Sequence, residues 1–407
     1  MDLGTTNIVA RLIDADTGAV LAESRCVNRQ VGFGADVLSR VSAAIAGEAA
    51  SLTRNAVESV EEALVSALAS AGIPPDALER IVVAGNTAMV SLLIGTDVTG
   101  LASHPFTHVL GDRATWVELG IAGVDPSVEV VLVPPVAAFV GGDLVAGLMA
   151  AEVTSADDGV LYIDLGTNAE VAAVANGRTW VTSAAAGPAF EGWGVACGGQ
   201  AGVGGIVRVR ADDTVGVVPA FEGERPAFIT GSGLISALAL LRRLGHLAAD
   251  GTMRADGPLA GRFFDAGGVP AVTLACDPSD RGVFVDQRDV RGLQSAKAAV
   301  TVAVRSVARA AGLTGDRLTR VIVAGALGGA LAGDDLVELG IVPQSGRASL
   351  RHMPDAVIAG AGAMAFRPEL LKDAERFAAN VTHVDLAGTA DFAEAFLGGL
   401  ELAPYDV

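Results

Sequence analysis

Apolar residues follow two rhythms along this chain. Short runs, alternating or continuously apolar, read as strands at Ile8–Asp14, Ala19–Asn28, Arg80–Ala84, Val128–Val133, Val160–Ile163, Trp180–Ser183 and Val321–Ala324. Longer stretches with apolar residues three or four apart read as helices at Val57–Ala71, Met89–Ile94, Ala137–Ala151, Gly231 to about Gly245, Asp289–Ala311 and Pro368–Asn380. Gly72 with Pro74-Pro75 stops the first long helix. Val357–Phe366 suits strand or helix, and residues 247–281 read as an insertion with little periodicity. A strand pair followed by strands and helices recurs after about residue 156, beyond the polar connection Thr154–Gly159. The pattern predicts an α/β chain duplicated in architecture. Its expected parts are a first lobe at 1–155, a second at 156–366, and a C-terminal helix and tail at 367–407 packing back on the lobes.

The duplication has a chemical counterpart. The apolar strand Val160–Ile163 runs into Asp164-Leu165-Gly166-Thr167-Asn168, and a second apolar strand starts at Val171. The same word stands at Asp2-Leu3-Gly4-Thr5-Thr6-Asn7. One such turn is commonplace, but two copies, each opening a β-unit, point to a pair of phosphate-holding hairpins. Glycine (Gly4, Gly166) lets backbone N–H groups approach an anion, while Thr5, Thr6, Thr167 and Asn168 add donors. Asp2 and Asp164 can hold Mg²⁺ directly or through water. Two lobes presenting these hairpins to a shared cleft would set two carboxylates around one polyphosphate. Only Met1 precedes Asp2, so the strand leading into the first hairpin reads as cut short, as in a late-assigned start or a piece of a longer chain.

Other stretches leave alternatives open. Glu170 can orient an attacking water beside Asp164, or be a cross-strand charge. Gly325-Ala326-Leu327-Gly328-Gly329 follows a buried strand, and its glycines Gly325, Gly328 and Gly329 would let a nucleoside lie close; it also suits a plain strand-to-helix turn. Gly231-Ser232-Gly233 is either an anion nest or a helix N-terminus. Gly360-Ala361-Gly362-Ala363-Met364-Ala365 fits a dinucleotide pattern but lacks a βαβ unit with a following acidic residue. His104 and His108 are four apart, but Pro105 between them spoils a helical metal pair.

Composition narrows the setting. The chain has 407 residues, 51% hydrophobic, with 51 glycines and a formal net charge of −19. Acidity of that size argues against nucleic acid and against an anionic membrane surface as partners. The most apolar window, Val130–Val153, is broken by Pro134-Pro135, Gly141-Gly142 and Asp143, so no membrane span is expected. Three cysteines, Cys26, Cys197 and Cys276, are scattered without a paired spacing, which fits a reducing cytoplasm and supplies no iron–sulfur ligand set.

The two hairpins together with Val323–Gly329 resemble the phosphate-1, phosphate-2 and adenosine motifs of the actin-like ATPases, the acetate and sugar kinase, heat-shock chaperone and actin (ASKHA) superfamily of two-lobed, ribonuclease H-like folds. More narrowly, several stretches resemble the reductive activators of corrinoid proteins: Asn28–Arg40, Gly85–Met89, Asp164–Glu170, Ala185–Gly192, Gly231–Gly233, Asp289–Lys297 and Leu339–Pro343. The resemblance spans nearly the whole chain in order. It implies ATP binding assisted by Mg²⁺, with binding or hydrolysis coupled to reduction of cob(II)alamin to cob(I)alamin on a corrinoid partner protein. By the same analogy Asp289, Arg291 and Lys297 lie along the adenosine side. Members of that family carry a ferredoxin domain with a two-iron cluster; the resemblance thus implies an electron source in a preceding segment or a separate ferredoxin. A homodimer is left open. The residue before the proline of the first connecting motif, a Glu in the chaperones, is here Pro134, so a general base there is not expected. A small-molecule kinase and a non-catalytic ATP-gated scaffold are the alternatives on the same fold. Phosphoryl transfer to an acceptor would single out the first, and ATP binding without turnover the second.

Overall fold

The computed structural model describes residues 1–110, 124, 128–154, 157–200, 202–211, 215–219, 225–277, 280–327, 329, 331–388 and 391–407. These fall into two compact units: residues 1–156 with 355–383, and residues 157–354 with 384–407.

The first unit is built on a five-stranded sheet of β1 (Asp2–Leu3), β2 (Asn7–Ile13), β3 (Val20–Val27), β4 (Arg80–Gly85) and β5 (Glu129–Leu132), in the order β3-β2-β1-β4-β5. The β1 strand is antiparallel to β2 and parallel to β4, which sets Asp2 opposite Val9 on one side and Ala84 on the other. Residues 81–85 of β4 are all buried, as expected of a strand covered on both faces. The helix Ala49–Ala71 buries Leu52, Ala56, Val60, Ala63, Leu64 and Ala67 along one stripe and ends at Gly72 in the left-handed conformation. It begins eight residues before the expected Val57, continuing from the helix Val37–Ala43 through one wide turn.

Two expectations are corrected here. The helix expected over Ala137–Ala151 is Gly142–Ala150. Its start is delayed because Gly141 lies against the backbone that leaves β4, where an added Cβ would run into the Gly85 carbonyl oxygen. The stretch 356–366, assigned by sequence to the second lobe, is the helix Ala356–Phe366 and belongs to the first unit, as does the helix Glu369–Asn380. It packs on Gly142–Ala150 so closely that a Cβ at Gly360 would run into the Ala146 carbonyl oxygen. Of the glycines in the apparent dinucleotide pattern, Gly360 therefore lets two helices meet, and Gly362 lies against the Ile13 side chain of β2.

The second unit carries β6 (Val160–Leu165), β7 (Asn168–Ala175), β8 (Arg178–Ala185), β9 (Gly205–Ala211), β10 (Val215–Pro219), β11 (Phe228–Ile229), β12 (Phe263–Asp265), β13 (Pro270–Asp277), β14 (Asp280–Asp286), β15 (Arg320–Ala324) and β16 (Leu350–Met353). Its main sheet runs β16-β15-β6-β7-β8: β15 is parallel to β6 and β16, and β6-β7-β8 is an antiparallel meander. The 25-residue helix Gln287–Ala311 buries Val290, Leu293, Val300, Val304 and Val307 and starts with a reciprocal capping box between Asp286 and Asp289. The supposedly aperiodic 247–281 insertion holds β12, β13 and the start of β14. Val272, Leu274, Val283 and Val285 form the buried side of that small sheet, an alternation too short to stand out beside the glycines around it.

The Gly360 contact generates a test. Gly360→Ala adds intrinsic helix propensity of about 1 kcal/mol but forces a methyl group onto backbone that cannot rotate away, an overpacking cost of about 1–3 kcal/mol. Urea unfolding should give a net loss of stability; a stabilised variant would contradict the packing.

Candidate phosphate site

The hairpin β6–β7 places its chemistry by register. Asp164 stands directly opposite Glu170, and Glu170 directly opposite Ser183 on β8. Opposed residues of antiparallel strands project from the same face, so two carboxylates and a hydroxyl form one row across three strands. Ser183 Oγ donates to Glu170 Oε1 at 3.2 Å, and the fully buried Tyr162 donates its hydroxyl to Asp164 Oδ2 at 3.2 Å. Two facing carboxylates are a donor set that Mg²⁺ uses together with phosphate oxygens and water.

At the tip, Thr167 is only 3% exposed. Its backbone N–H and its hydroxyl both donate to one oxygen, Oε1 of Glu191, each at 2.7 Å. Its carbonyl accepts from the Gly187 N–H at 2.8 Å, which ties the tip to the turn Pro188–Glu191. Gly166 brings that turn near: a Cβ there would sit 3.6 Å from Glu191 Oε1. Asn168 pairs with Ala185 at the mouth of the meander.

Glycines bring two further segments to this hairpin. Gly325 follows β15 with φ at +107°, and an added Cβ would collide with the Leu165 carbonyl oxygen. Gly329 lies against Ser232, where an added Cβ would be 3.0 Å from the hydroxyl; Gly328 lies outside the described residues. The helix Gly231–Arg243 is capped by Thr230, whose hydroxyl accepts from the Gly233 N–H at 3.2 Å. The Ser232 N–H donates to the Leu327 carbonyl at 2.8 Å and its hydroxyl to the Val207 carbonyl at 3.1 Å. Of the two readings of Gly231-Ser232-Gly233, the helix N-terminus is the one these bonds describe: Ser232 and Gly233 spend their N–H groups inside the protein.

The long-helix residues also find protein partners. Asp289 accepts from the Asp286 and Ala196 N–H groups at 2.9 and 2.8 Å, and burial holds its carboxyl above the usual range. Arg291 donates to the Asp250 carbonyl at 2.5 Å and to Gln294 at 2.7 Å. Lys297 is 2% exposed and donates to the Gly399 and Glu401 carbonyls at 2.8 and 2.6 Å. Burial lowers its pKa to about 8. Both cations donate to backbone carbonyls here, Lys297 to those of the C-terminal segment. An Arg or Lys on a helix reveals its charge in a sequence but not which distant carbonyls will accept its hydrogen bonds.

In the first unit, Gly4 turns so tightly that a Cβ would be 2.5 Å from the Asn7 carbonyl oxygen. The buried Asn28 braces this tip, donating its side-chain amide to the Gly4 carbonyl and its N–H to the Thr6 carbonyl, both at 2.9 Å. Thr6 is buried and Thr5 half-buried. Sequence reasoning missed a neighbour, Asp143, in the first turn of the apolar helix Gly142–Ala150. Its surroundings push its carboxyl up to about 7, by burial first and then by the charge of Asp2. The signal was present as a lone acid in an apolar helix, read only as an interruption. Glu191 was missed too, although it lies within the Ala185–Gly192 stretch.

A mixed sheet whose antiparallel hairpin carries a carboxylate and phosphate donors at its tip is the layout of an ASKHA fold. Residues 158–407 match the C-terminal, ASKHA domain of RACo, and residues 1–156 match the RACo middle region, so the chain belongs to the RACo family. It is 28% identical to the corrinoid activation enzyme RamQ of Eubacterium limosum, over 97% of this chain and 68% of that protein. It is 25% identical to the Co(II) methylated amine-specific corrinoid protein reductase of Methanosarcina barkeri, over 100% of this chain and 78% of that protein. Among solved structures it is similar to a reductive activator for a corrinoid, iron–sulfur protein, with a TM-score of 0.89 and 27% identity. The match covers 98% of this chain, which spans 65% of that protein's length. Among the described residues no helix is long and apolar enough to cross a membrane.

The Lys297 geometry yields a prediction in two parts. Lys297→Met leaves two carbonyls without their donor and should lower stability by about 1–3 kcal/mol in urea unfolding. The pH signature has a definite sign. The folded chain holds the Lys297 proton less tightly than the unfolded chain, with a pKa near 8 against 10.5. Stability should therefore rise with pH as the folded form deprotonates above about 8. The wild-type minus Lys297→Met difference in unfolding free energy should grow between pH 8 and 9.5; a flat or falling difference would contradict it.

Proposed function

We propose that this chain is an ATP-dependent reductive activator of a corrinoid protein, in which ATP binding or hydrolysis is coupled to reduction of cob(II)alamin to cob(I)alamin. The observation that carries the nucleotide half of this reading is the Asp164–Glu170 pair set across one hairpin beside the Thr167 donors. The corrinoid half rests on the relatives, whose names describe corrinoid activation and corrinoid protein reduction.

On this reading the Thr167 N–H and hydroxyl hold a phosphoryl oxygen, and Asn168 adds a donor at the same tip. Asp164 and Glu170 would hold Mg²⁺, the cation that neutralises phosphate charge as the transferring bond loosens. Glu170 is held by Ser183 on a strand rather than on a loop, so it keeps one orientation from which to position an attacking water. In the first unit, the Asn28-braced tip at Gly4–Thr6 offers a second set of donors, and Asp2 with Asp143 a second carboxylate pair. Gly325 and Gly329 hold the loop after β15 close to the hairpin and to Ser232, and a nucleoside would lie beside that loop. The electron comes from a ferredoxin-type donor, whose two-iron cluster is not supplied by the three scattered cysteines. On this reading the protein acts in the cytoplasm on a corrinoid protein partner, with a homodimer as a compatible state.

Two measurements test this. Asp164→Ala should weaken Mg-ATP binding by about tenfold or more, the loss of a charged interaction; calorimetry that finds equal affinity would sink the hairpin assignment. With a low-potential reductant and a cob(II)alamin protein present, the cob(I)alamin absorption band should grow only when ATP is added, and ATP hydrolysis should be faster with the corrinoid partner than without it. ATP-independent reduction, or phosphate transfer to a small acceptor, would replace the activator reading with another.

A further inference from the structure

Glu191 occupies the position in which a phosphate would make its best contacts. A single carboxylate oxygen accepts from both donors of Thr167, the backbone N–H and the hydroxyl, at 2.7 Å each. That is the length of a charge-assisted hydrogen bond. It is also the way a backbone N–H and a neighbouring hydroxyl receive one phosphoryl oxygen. The contact is built rather than incidental. Glu191 ends the turn Pro188–Glu191, in which Ala189 and Phe190 are buried and so fix the turn's base. The Phe190 carbonyl oxygen is pressed against Gly231, where any Cβ would collide with it. Gly187 and Gly192, at φ of +79° and +80°, bracket the turn in a conformation that side chains disfavour.

We propose that Glu191 is an internal phosphate mimic that holds the Thr167 donors until a nucleotide displaces it. This rests on the phosphate-hairpin reading above and adds its regulation. The electrostatic reason is direct. A phosphoryl group arriving at Thr167 must accept from the same two donors, and it cannot share them with a carboxylate of like charge. The turn is anchored by Phe190, so the moving part is the Glu191 side chain together with the chain that follows. That chain leads through Gly192 to Trp193, which is 45% exposed, and on to Ala196, whose N–H is held by Asp289. Nucleotide arrival would thus be reported by a loop with a solvent-facing tryptophan, through the release of one side chain.

The test uses the full chain and Mg-ATP. Glu191→Ala should bind ATP about tenfold more tightly than wild type, because the competing acceptor is gone. Glu191→Gln keeps the volume and one acceptor without the charge, and should fall between the two. Hydrogen exchange adds a readout that a purely structural role would not move: ATP should raise exchange across residues 192–199 in the wild type and leave it unchanged in Glu191→Ala. If Asp164→Ala abolishes ATP binding while both Glu191 variants bind at wild-type affinity or more weakly, the mimic is wrong and Glu191 positions Thr167 instead. If neither wild type nor Asp164→Ala binds ATP, the phosphate reading itself fails and this proposal falls with it. Should Glu191→Ala not fold, the comparison of Glu191→Gln with wild type decides in the same directions.

Discussion

Around the tip of the second hairpin, three backbone segments approach one another more closely than any side chain would allow. Gly325 lies on the Leu165 carbonyl, Gly231 on the Phe190 carbonyl, and Gly329 between Val207 and Ser232. Close backbone approach has a polar consequence. Peptide groups brought together away from water must find partners, and here they do so through Thr230 to Gly233, Leu327 to Ser232 and Thr167 to Gly187. The result is a frame in which the loop after β15, the β6–β7 hairpin and the base of the turn bearing Glu191 are held against one another. The carboxylate row on β6 and β7 takes its precision from that frame and from strand register, which leaves side chains on a common face with no loop freedom between them.

Much of this was legible from residue order, because its signals are local. An apolar run that meets an Asp and a glycine can be read as a strand entering a turn, and the second copy of the same word marks the recurrence. The opposition of Asp164 and Glu170 follows from a tight hairpin once the turn is placed. What stayed hidden depends on distance along the chain. Glu191 reaches Thr167 over 24 residues, and Lys297 reaches the Glu401 carbonyl over 104. The helix at 356–366 could not be assigned to the first unit from its pattern, since it is apolar nearly all round and would fit under any sheet. Gly360 and Gly362 carried a recognisable dinucleotide spacing for a reason of packing, the first against the backbone of a helix and the second against the Ile13 side chain.

The two hairpins share a word but not a bracing scheme. In the first unit the tip is held from outside by Asn28, a neutral amide that takes up backbone carbonyls and leaves the direction of N–H groups undisturbed. In the second the tip is held by an anion that takes up the N–H and hydroxyl donors themselves. An amide brace is compatible with a phosphate at the same turn, whereas a carboxylate brace is not. On the proposed reading the asymmetry would divide labour between two copies of one motif: the first a standing cradle, the second a cradle whose donors Glu191 holds.

That division bears on how an acidic chain can hold an acidic ligand. The second hairpin gathers Asp164, Glu170 and Glu191 around one turn, in a protein with a net charge of −19. A polyphosphate brought there adds further negative charge at hydrogen-bond distance, where Coulomb repulsion is least screened. The proposed reading offers two complementary remedies. Asp164 and Glu170 would hold a divalent cation as ligands rather than repel as a pair, and departure of the Glu191 side chain would remove the third charge. Neither suffices alone, because the cation does not free the Thr167 donors, and freeing the donors does not neutralise the facing pair. On the proposed reading, metal dependence and displacement of the Glu191 side chain would be two consequences of one electrostatic constraint, and a nucleotide arriving with its metal would satisfy both at once.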